Sequence, residues 1–242
     1  MNILLTGSEG FIGSNLKHKI EYPLHCIDLK LGQDILTCDL PKNIDIVIHL
    51  AGLSGVRQSL DNPTEYWKQN VIVSQRIFDT YKDSRIMYAS SSTAKEPWRN
   101  PYAFSKFSLE QLAPEKSLGM RFTTTYGPNA RQQMLIPSII RNEVPYINID
   151  HSRDFIHVDD VISAIELLIN SSYEISGVYD LGYGESYKLT DLAREFASNV
   201  TMAMGDIHER LDNKADNDLF YALGWKPKVN LYDYIKETIS HR

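Results

Sequence analysis

Short apolar runs alternate with stretches of helical periodicity along the first half of the chain. The runs read NILLT, LHCID, DIVIHLA, RIMYAS and MRFTTTY. Runs that are apolar on both faces are typical of a parallel sheet covered by helices on both sides. The segments between them, FIGSNLKHKI, NPTEYWKQNVIVSQRIFDTYK and PYAFSKFSLEQLA, show helical spacing instead. The alternation predicts an α/β fold built on a doubly wound parallel sheet.

The second helical segment spans residues 62–82. It begins at Asn62-Pro63, a favourable N-cap followed by a first-turn proline. Trp67 and Phe78 fall on one face of this predicted helix, so both are expected in the core.

The alternation loosens after Gly127-Pro128, which predicts a small, reduced second lobe. We therefore expect one domain over residues 1–126, to which residues 155–182 return. A second portion is expected over residues 127–242.

A glycine-rich turn follows the first strand. In TGSEGFIGSN, Gly7, Gly10 and Gly13 have the spacing G-x-x-G-x-x-G. Glycines between a strand and a helix let the backbone approach a pyrophosphate, to which the helix N-terminus offers free N–H groups. Asp28 ends the next strand about 20 residues on, where an acidic residue takes the adenosine ribose hydroxyls. This Rossmann-type pattern predicts NAD, because Asp28 would repel the 2′-phosphate of NADP; Lys30 keeps NADP open as an alternative.

The segment SSSTAKEPWRNPYAFSK, residues 90–106, places Tyr102 after a serine-rich strand end and Lys106 one helical turn later. Tyr232 and Lys236 repeat the Tyr-x-x-x-Lys spacing near the C-terminus. A motif this short also arises by chance, so spacing alone does not choose between the two. A free tyrosine, with an ordinary pKa of about 10, is a poor base at neutral pH. A lysine ammonium and a positively charged NAD⁺ ring close to Tyr102 would lower this pKa and make the phenolate available as a base.

A set of motifs in a fixed order along the chain helps to choose between the two tyrosines. They are TGSEGFIGSNL, HLAG, NPTEYWKQNV, YASSS, PYAFSK, YGP, RDFIHVDDV, VYDLGYGESYKLTDLA and LGWKPKV. In this order the chain resembles, nearly end to end, an extended short-chain dehydrogenase/reductase of the NAD-dependent sugar-nucleotide epimerase/dehydratase family. Its character is nearest to that of the UDP-glucose 4-epimerases.

The resemblance implies a role for individual residues. Ser92, Tyr102 and Lys106 would be catalytic, with Ser91 in place of Ser92 if the register differs by one. The residues implied to contact NAD are Gly7, Gly10, Phe11, Ile12, Gly13, Asp28, Asp39, Leu40, Leu50, Ala51, Gly52, Asn70, Tyr102 and Lys106. The residues implied to contact the nucleotide sugar are Ser91, Ser92, Thr124 and Arg153, the last as a bidentate phosphate donor. Tyr232 has no serine-ended strand before it, so its spacing is interpreted as accidental.

Departures from the family pattern bear on the activity. Only nine residues separate Ser92 from Tyr102, a shorter link than is usual, and Thr124 stands where an asparagine is common. Thr93-Ala94 stand where dehydratases carry Asp-Glu, which favours a 4-epimerase that passes through a transient 4-keto sugar. The alternatives are a 4-keto-sugar reductase or dehydratase of the same family, and a catalytically idle NAD-binding protein.

Composition and charge exclude other classes. The 242 residues carry a formal net charge of −6, which gives no basic surface for nucleic acid. No apolar run reaches the roughly 18 residues of a membrane span. Cys26 and Cys38 lack paired spacing for zinc, and the chain opens on an apolar strand without a signal-peptide pattern. We expect a soluble, cytoplasmic protein with a nucleotide-sugar substrate.

The stretch HSRDFIHVDD clusters His151, Asp154, His157, Asp159 and Asp160, which is one possible pattern for a metal site. Asp159 is also suited to cap the helix that follows it. The second interpretation is favoured, and no metal is expected.

Apolar residues on two predicted helices indicate self-association. The resemblance implies a homodimer that pairs through residues 62–82 and 102–113. Phe104 and Phe107 project away from the side of their helix that carries Tyr102, and Ile72 points away from its own helix's apolar face. A homodimer is therefore expected; the alternative is that the second lobe or a loop covers these residues within one chain.

Overall fold

The computed structural model describes residues 1–172 and 174–241. Its strands, in chain order, are β1 Ile3–Thr6, β2 Leu24–Ile27, β3 Ile46–His49, β4 Arg85–Ser91, β5 Leu118–Phe122, β6 Thr124–Tyr126, β7 Tyr146–Asn148, β8 Ser152–His157, β9 Gly177–Leu181, β10 Ser186–Lys188 and β11 Thr201–Ala203. Its α-helices are α1 Phe11–Leu16, α2 Val56–Asp61, α3 Pro63–Trp67, α4 Val73–Thr80, α5 Pro101–Leu112, α6 Leu135–Arg141, α7 Val158–Asn170, α8 Leu189–Phe196, α9 Asp218–Ala222 and α10 Leu231–Ser240.

Six parallel strands form the main sheet in the order β2-β1-β3-β4-β5-β9. This confirms the predicted doubly wound parallel sheet. The winding reverses between β1 and β3, and in such sheets ligands bind in the crevice at the carboxyl ends of the strands beside this reversal. Between β2 and β3 the only helical turn in the described chain is the short 3₁₀ segment Leu29–Leu31.

Alternating residues of the central strands enter two separate cores. Ile3 and Leu5 pack with α1 and α7 on one face of the sheet, while Leu4 packs with α4 and α5 on the other. Side chains alternate between faces along a strand, so a strand covered on both sides must be apolar throughout. This requirement explains why these strands could be predicted from short, continuous apolar runs in the sequence.

A smaller set of elements completes the fold. The run MRFTTTY divides at Thr123: β5 stays in the main sheet, and β6 joins β8 and β10 in a three-stranded sheet. β7 and β11 form a separate pair. Helices α6, α8 and α10 cover these strands around a third core that includes Tyr126, Phe155 and Leu192. In the part of the chain that the structure describes, no helix has the length and apolarity to cross a membrane.

The predicted continuous helix over residues 62–82 is wrong in detail. A π-helical turn, Lys68–Ile72, separates α3 from α4. The side chain of Asn62 does not cap α3 but donates back to the carbonyl of Gln58. Phe78 is buried as expected, whereas Trp67 is 40% exposed. The extra residue of the π turn changes the face on which the residues before it lie, so a uniform helical period placed Trp67 wrongly.

Candidate active site

The glycine turn lies directly against the loop after β3. A Cβ on Gly7 would lie 2.7 Å from the backbone nitrogen of Ala51, and a Cβ on Gly13 would lie 2.1 Å from the carbonyl oxygen of Gly7. Gly7 also has a φ of +71°, which favours glycine. The Gly10 N–H donates to the Gly7 carbonyl at 3.0 Å. The turn therefore requires residues without a Cβ at Gly7 and Gly13. Its exposed backbone lies at the end of β1, where the winding of the sheet reverses.

Asp28 is fixed at the end of β2 beside this turn. Its carboxylate accepts hydrogen bonds from the backbone N–H groups of Glu9, at 2.9 Å, and Lys30, at 2.8 Å. The Lys30 ammonium donates to the Glu9 carbonyl at 2.8 Å. The carboxylate and the glycine turn adjoin each other at the crevice, a combination whose chemistry suits the ribose and pyrophosphate of a dinucleotide.

Asn70 holds the loop that follows β3. Its side-chain oxygen accepts from the Leu53 N–H at 2.7 Å, and its amide nitrogen donates to the Leu53 carbonyl at 3.0 Å and the Ser105 hydroxyl at 2.9 Å. A Cβ on Gly52 would lie 2.7 Å from the Asn70 side-chain oxygen. Asn70 belongs to the π turn, a feature common at functional sites because it redirects a side chain.

The other residues predicted to contact NAD lie at the start of α1, directly after β3, and in the segment between β2 and β3. Phe11 and Ile12 begin α1, and Leu50 follows β3 and donates to the Thr6 carbonyl at 3.1 Å. Asp39 is exposed in the segment between β2 and β3, and Leu40 beside it packs partly against the core under α4. Their contacts with the cofactor stay predictions.

Tyr102 lies in the first turn of α5, and its phenol group is buried. Burial raises the pKa of this phenol, while a hydrogen bond with the Ser91 side chain and the positive charge of Arg131 act in the opposite direction. The ring of Tyr66 packs edge-on at 6.0 Å between centroids. Tyr66 donates through its hydroxyl to the Ser54 carbonyl, which also accepts from Arg131.

Lys106 lies one turn after Tyr102 and is also buried. Its ammonium donates to the Ala89 carbonyl at 2.8 Å, and a Cβ on Gly52 would lie 3.5 Å from it. Burial lowers the pKa of Lys106 to about 8, which the carboxylate of Glu110 partly offsets. The lysine thus connects the end of β4 with the loop after β3.

Of the two predicted hydroxyl residues, Ser91 is the one whose side chain lowers the pKa of the Tyr102 phenol. The catalytic role of either serine stays a prediction. The Ser92 hydroxyl instead accepts from the Asn213 amide at 3.5 Å, and its carbonyl accepts from Arg210 at 2.6 Å. Ser91 ends β4, and Ser92 begins a 3₁₀ turn, so the two side chains point in different directions.

Thr124 and Arg153 line a cavity of about 300 Å³ in the smaller part of the fold. Arg57, Tyr146 and Glu209 line the same cavity. The Thr124 hydroxyl accepts from Asn213 at 3.1 Å. The cavity combines two guanidinium groups with an aromatic wall, which suits an anionic ligand that carries a flat ring.

The remaining sequence candidates have structural partners. Tyr232 packs on Phe196, with ring centroids 5.2 Å apart, and on Tyr187, at 5.8 Å. His157 rather than Asp159 caps α7, because its ring accepts from the Asp159 N–H at 3.2 Å.

Two acidic residues of the HSRDFIHVDD stretch accept hydrogen bonds from backbone N–H groups. Asp154 accepts from three backbone N–H groups, and Asp160 accepts from two. In residues 1–172 and 174–241 no group of three His, Cys, Asp or Glu side chains is placed to hold a metal ion.

Several residues at these sites escaped sequence reasoning. They are Arg57, Tyr66, Arg131, Glu209 and Asn213. Arg131, Glu209 and Asn213 lie in irregular segments after Gly127, where the hydrophobic pattern carries little information. One sequence feature could have indicated Glu209 and Asn213: the segment HERLDNK is rich in charged and amide side chains. The hydrophobic pattern gave this segment no role.

Comparisons with known proteins agree with this geometry. The structure matches that of MoeE5 in complex with UDP-glucose and NAD, with a TM-score of 0.87 and 26% identity over 99% of this chain and 98% of that one. It has the fold of UDP-glucuronic acid 4-epimerase from Bacillus cereus, with a TM-score of 0.84 and 24% identity over 98% and 99% of the two chains. The GDP-6-deoxy-D-mannose reductase of Pseudomonas aeruginosa is 24% identical over 98% of this chain and 96% of its own.

A family model gives the assignment. The model of the NAD dependent epimerase/dehydratase family matches residues 3–182, more than half of the chain. This confirms the resemblance inferred from the ordered motifs and the choice of NAD as the cofactor. The chain belongs to the NAD-dependent epimerase/dehydratase family, whose enzymes act on sugar nucleotides.

Proposed function

We propose that the protein is a nucleotide-sugar epimerase that inverts C4 through a transient 4-keto sugar. The observation that carries the proposal is the buried Tyr102 phenol at the start of α5, which packs against the Tyr66 ring and lies one helical turn before the buried Lys106. Bound NAD supplies reversible oxidation of an alcohol carbon. Tyr102 takes the proton of the sugar hydroxyl and returns it after the keto sugar has turned over.

Other residues support this proton transfer. The Arg131 guanidinium lowers the pKa of Tyr102 against the effect of burial, and Ser91 orients the sugar hydroxyl toward the phenol. Asn70 holds the loop after β3, which is where the cofactor is expected, and the Lys106 ammonium lies close to Gly52 of the same loop. Thr124 and Arg153 face the cavity that receives the nucleotide sugar in this proposal.

The residues around Tyr102 favour epimerisation over dehydration. Elimination of water needs an acid and a base in addition to the tyrosine. The nearby carboxylates are already engaged: Glu96 pairs with Arg99 and Arg210, Asp180 with Lys95, and Glu110 with Arg121. Thr93 donates its hydroxyl to Ser91 at 2.9 Å. These contacts support a site in which the tyrosine is the acid–base group.

The proposal is tested with a panel of UDP, GDP, dTDP and CDP sugars and a catalytic amount of NAD. We expect NMR to show conversion of one sugar to its C4 epimer at equilibrium, with no net formation of NADH. A stable 4-keto-6-deoxy product would establish a dehydratase instead. Conversion that consumes stoichiometric NADH or NADPH with a 4-keto sugar would establish a reductase, and no turnover with any sugar would support the idle NAD-binding protein.

We also propose that the enzyme works as a homodimer. Trp67 and Phe104 stack with ring centroids 5.9 Å apart, yet they are 40% and 50% exposed. Ile72, on the adjoining π turn, is 41% exposed, and Phe107 is half-buried. These residues form an apolar face over α3 and α5. Burial of such side chains stabilises an interface by about 2 kcal/mol each.

Phe104→Glu should convert the dimer to a monomer, since a buried, unpaired carboxylate at the interface is strongly unfavourable. Light scattering coupled to size exclusion, at micromolar protein, measures this directly. Ile239→Glu, at an exposed apolar residue of α10, is the control and should leave the dimer intact. A monomeric wild type, or a dimeric Phe104→Glu variant, contradicts this interface.

A further inference from the structure

The segment between β11 and α9 crosses the short link that precedes Tyr102. We call residues 206–213 the strap. The Asn100 amide donates to the His208 carbonyl at 2.8 Å, and the Arg99 guanidinium donates to the Ile207 carbonyl at 2.8 Å. Backbone carbonyls thus hold the strap over the site, so its course does not depend on the Glu209 side chain.

Glu209 projects from the strap into the cavity, where its carboxylate lies between two arginines. One oxygen is 3.1 Å from the Arg57 guanidinium, and the other is 3.1 Å from that of Arg153. His151 lies 3.6 Å from the second oxygen through Nδ1. The Glu209 side chain is only 17% exposed. A carboxylate therefore occupies the point on which the positive groups of the cavity converge.

The two arginines are placed independently of Glu209. Arg153 donates through Nη1 to the carbonyls of Ser152, at 2.8 Å, and Leu211, at 3.2 Å, which leaves Nη2 for Glu209 and the His151 ring. The Arg57 guanidinium lies over the Tyr146 ring, 5.1 Å from its centroid. Two guanidinium groups held in this way form a binding site for an anion with more than one charged oxygen group.

We propose that Glu209 is an internal competitor, which the diphosphate of the nucleotide sugar displaces from Arg57 and Arg153. The inference rests on the proposed function, because it assumes a nucleotide sugar in this cavity. A diphosphate brings more charge and more acceptor oxygens than one carboxylate, so it replaces Glu209 on both arginines. Only the Glu209 side chain has to rotate, since the strap is held through its backbone.

This competition predicts an affinity that improves when the carboxylate is neutralised. If Glu209 occupies the site nine-tenths of the time, its removal tightens apparent binding about tenfold. Glu209→Gln keeps the size of the side chain and its capacity for hydrogen bonds. Glu195→Gln is the matched control, because Glu195 is an exposed carboxylate that pairs with Lys236 at 3.4 Å on another part of the surface.

The experiment titrates UDP and, separately, GDP into NAD-saturated protein by calorimetry. We expect Glu209→Gln to bind the better of the two about tenfold more tightly than wild type, and Arg57→Gln to bind it more weakly. Glu195→Gln should match wild type. Uridine and guanosine, which lack phosphate, should bind Glu209→Gln no better than wild type. In the double variant with Arg57→Gln, the gain from Glu209→Gln should shrink, because the competitor has lost one of its partners.

Two failures are distinguishable. If a nucleoside diphosphate binds wild type but Glu209→Gln binds it equally or less tightly, Glu209 is a support for Arg153 and this inference is wrong, while the proposed function stands. If neither diphosphate binds any variant although NAD still does, the proposed function is overturned for UDP and GDP sugars, and the inference is overturned with it. A gain that is equally large for the nucleosides also rejects the inference, because it would come from something other than phosphate.

Discussion

Tyr102→Phe should lower turnover by about 10²- to 10⁴-fold, which is the contribution that one positioned acid–base group makes. The substitution removes only the hydroxyl, so the edge-on packing of the ring against Tyr66 is retained. We therefore expect the melting temperature and the affinity for NAD to stay close to those of wild type. Initial rates on the sugar identified from the panel, together with a titration of NAD, measure the two quantities separately.

Tyr232→Phe is the control, because Tyr232 has the same spacing to a lysine. Its ring packs on Phe196 and Tyr187 in the smaller part of the fold. Its turnover should match wild type. Equal losses in the two variants would show that the choice between the two tyrosines was mistaken, and an active Tyr102→Phe variant would remove the tyrosine from the mechanism.

The main sheet could be predicted because its signal is local. Strands covered on both faces must be apolar at every position, and the glycine turn must be built from residues without Cβ. Both requirements are visible within ten residues of sequence. The position of Asp28 could be predicted for the same reason, because Asp28 comes directly after β2, the strand that pairs with β1.

The position of the catalytic hydroxyl could not be fixed in this way. Ser90 and Ser91 end β4, Ser92 begins the next turn, and each has a different partner: Ser90 donates to Glu110, Ser91 accepts from Thr93, and Ser92 accepts from Asn213. A shift of one residue along a strand reverses the direction of the side chain. The sequence contains three equivalent hydroxyls and nothing local that sets the register between them.

The strap was unpredictable for a different reason. Several of its contacts join residues more than 100 positions apart, such as Arg210 with Glu96 and Asn100 with His208. They are made by backbone carbonyls and long polar side chains, which leave no periodic pattern in the sequence. The shortness of the link between Ser92 and Tyr102 was visible, and in the structure Arg210 and Asn213 of the strap contact Ser92.

Gly13→Ala should damage cofactor binding and stability together. The added Cβ would lie 2.1 Å from the carbonyl oxygen of Gly7 and 2.9 Å from both the Gly7 carbonyl carbon and the Ser8 Cα. All three are backbone atoms, so no side-chain rotation relieves the clash. Overpacking of this kind costs about 1–3 kcal/mol, which corresponds to a fall in melting temperature of about 2–12 °C.

The expected loss of NAD affinity follows from which backbone segments the added Cβ pushes apart. The glycine turn and the start of α1 have to separate, which carries the backbone away from the place where the pyrophosphate is expected. A loss of 1.4 kcal/mol or more would weaken binding about tenfold or more. Gly10→Ala is the graded control, because its Cβ would meet only the Gly7 carbonyl oxygen, at 3.1 Å, and a shift of a few tenths of an ångström relieves it. Calorimetric titration of NAD and a thermal melt on both variants should therefore rank Gly13→Ala well below Gly10→Ala. The reverse order would mean that close packing of α1 on the turn does not shape the cofactor site.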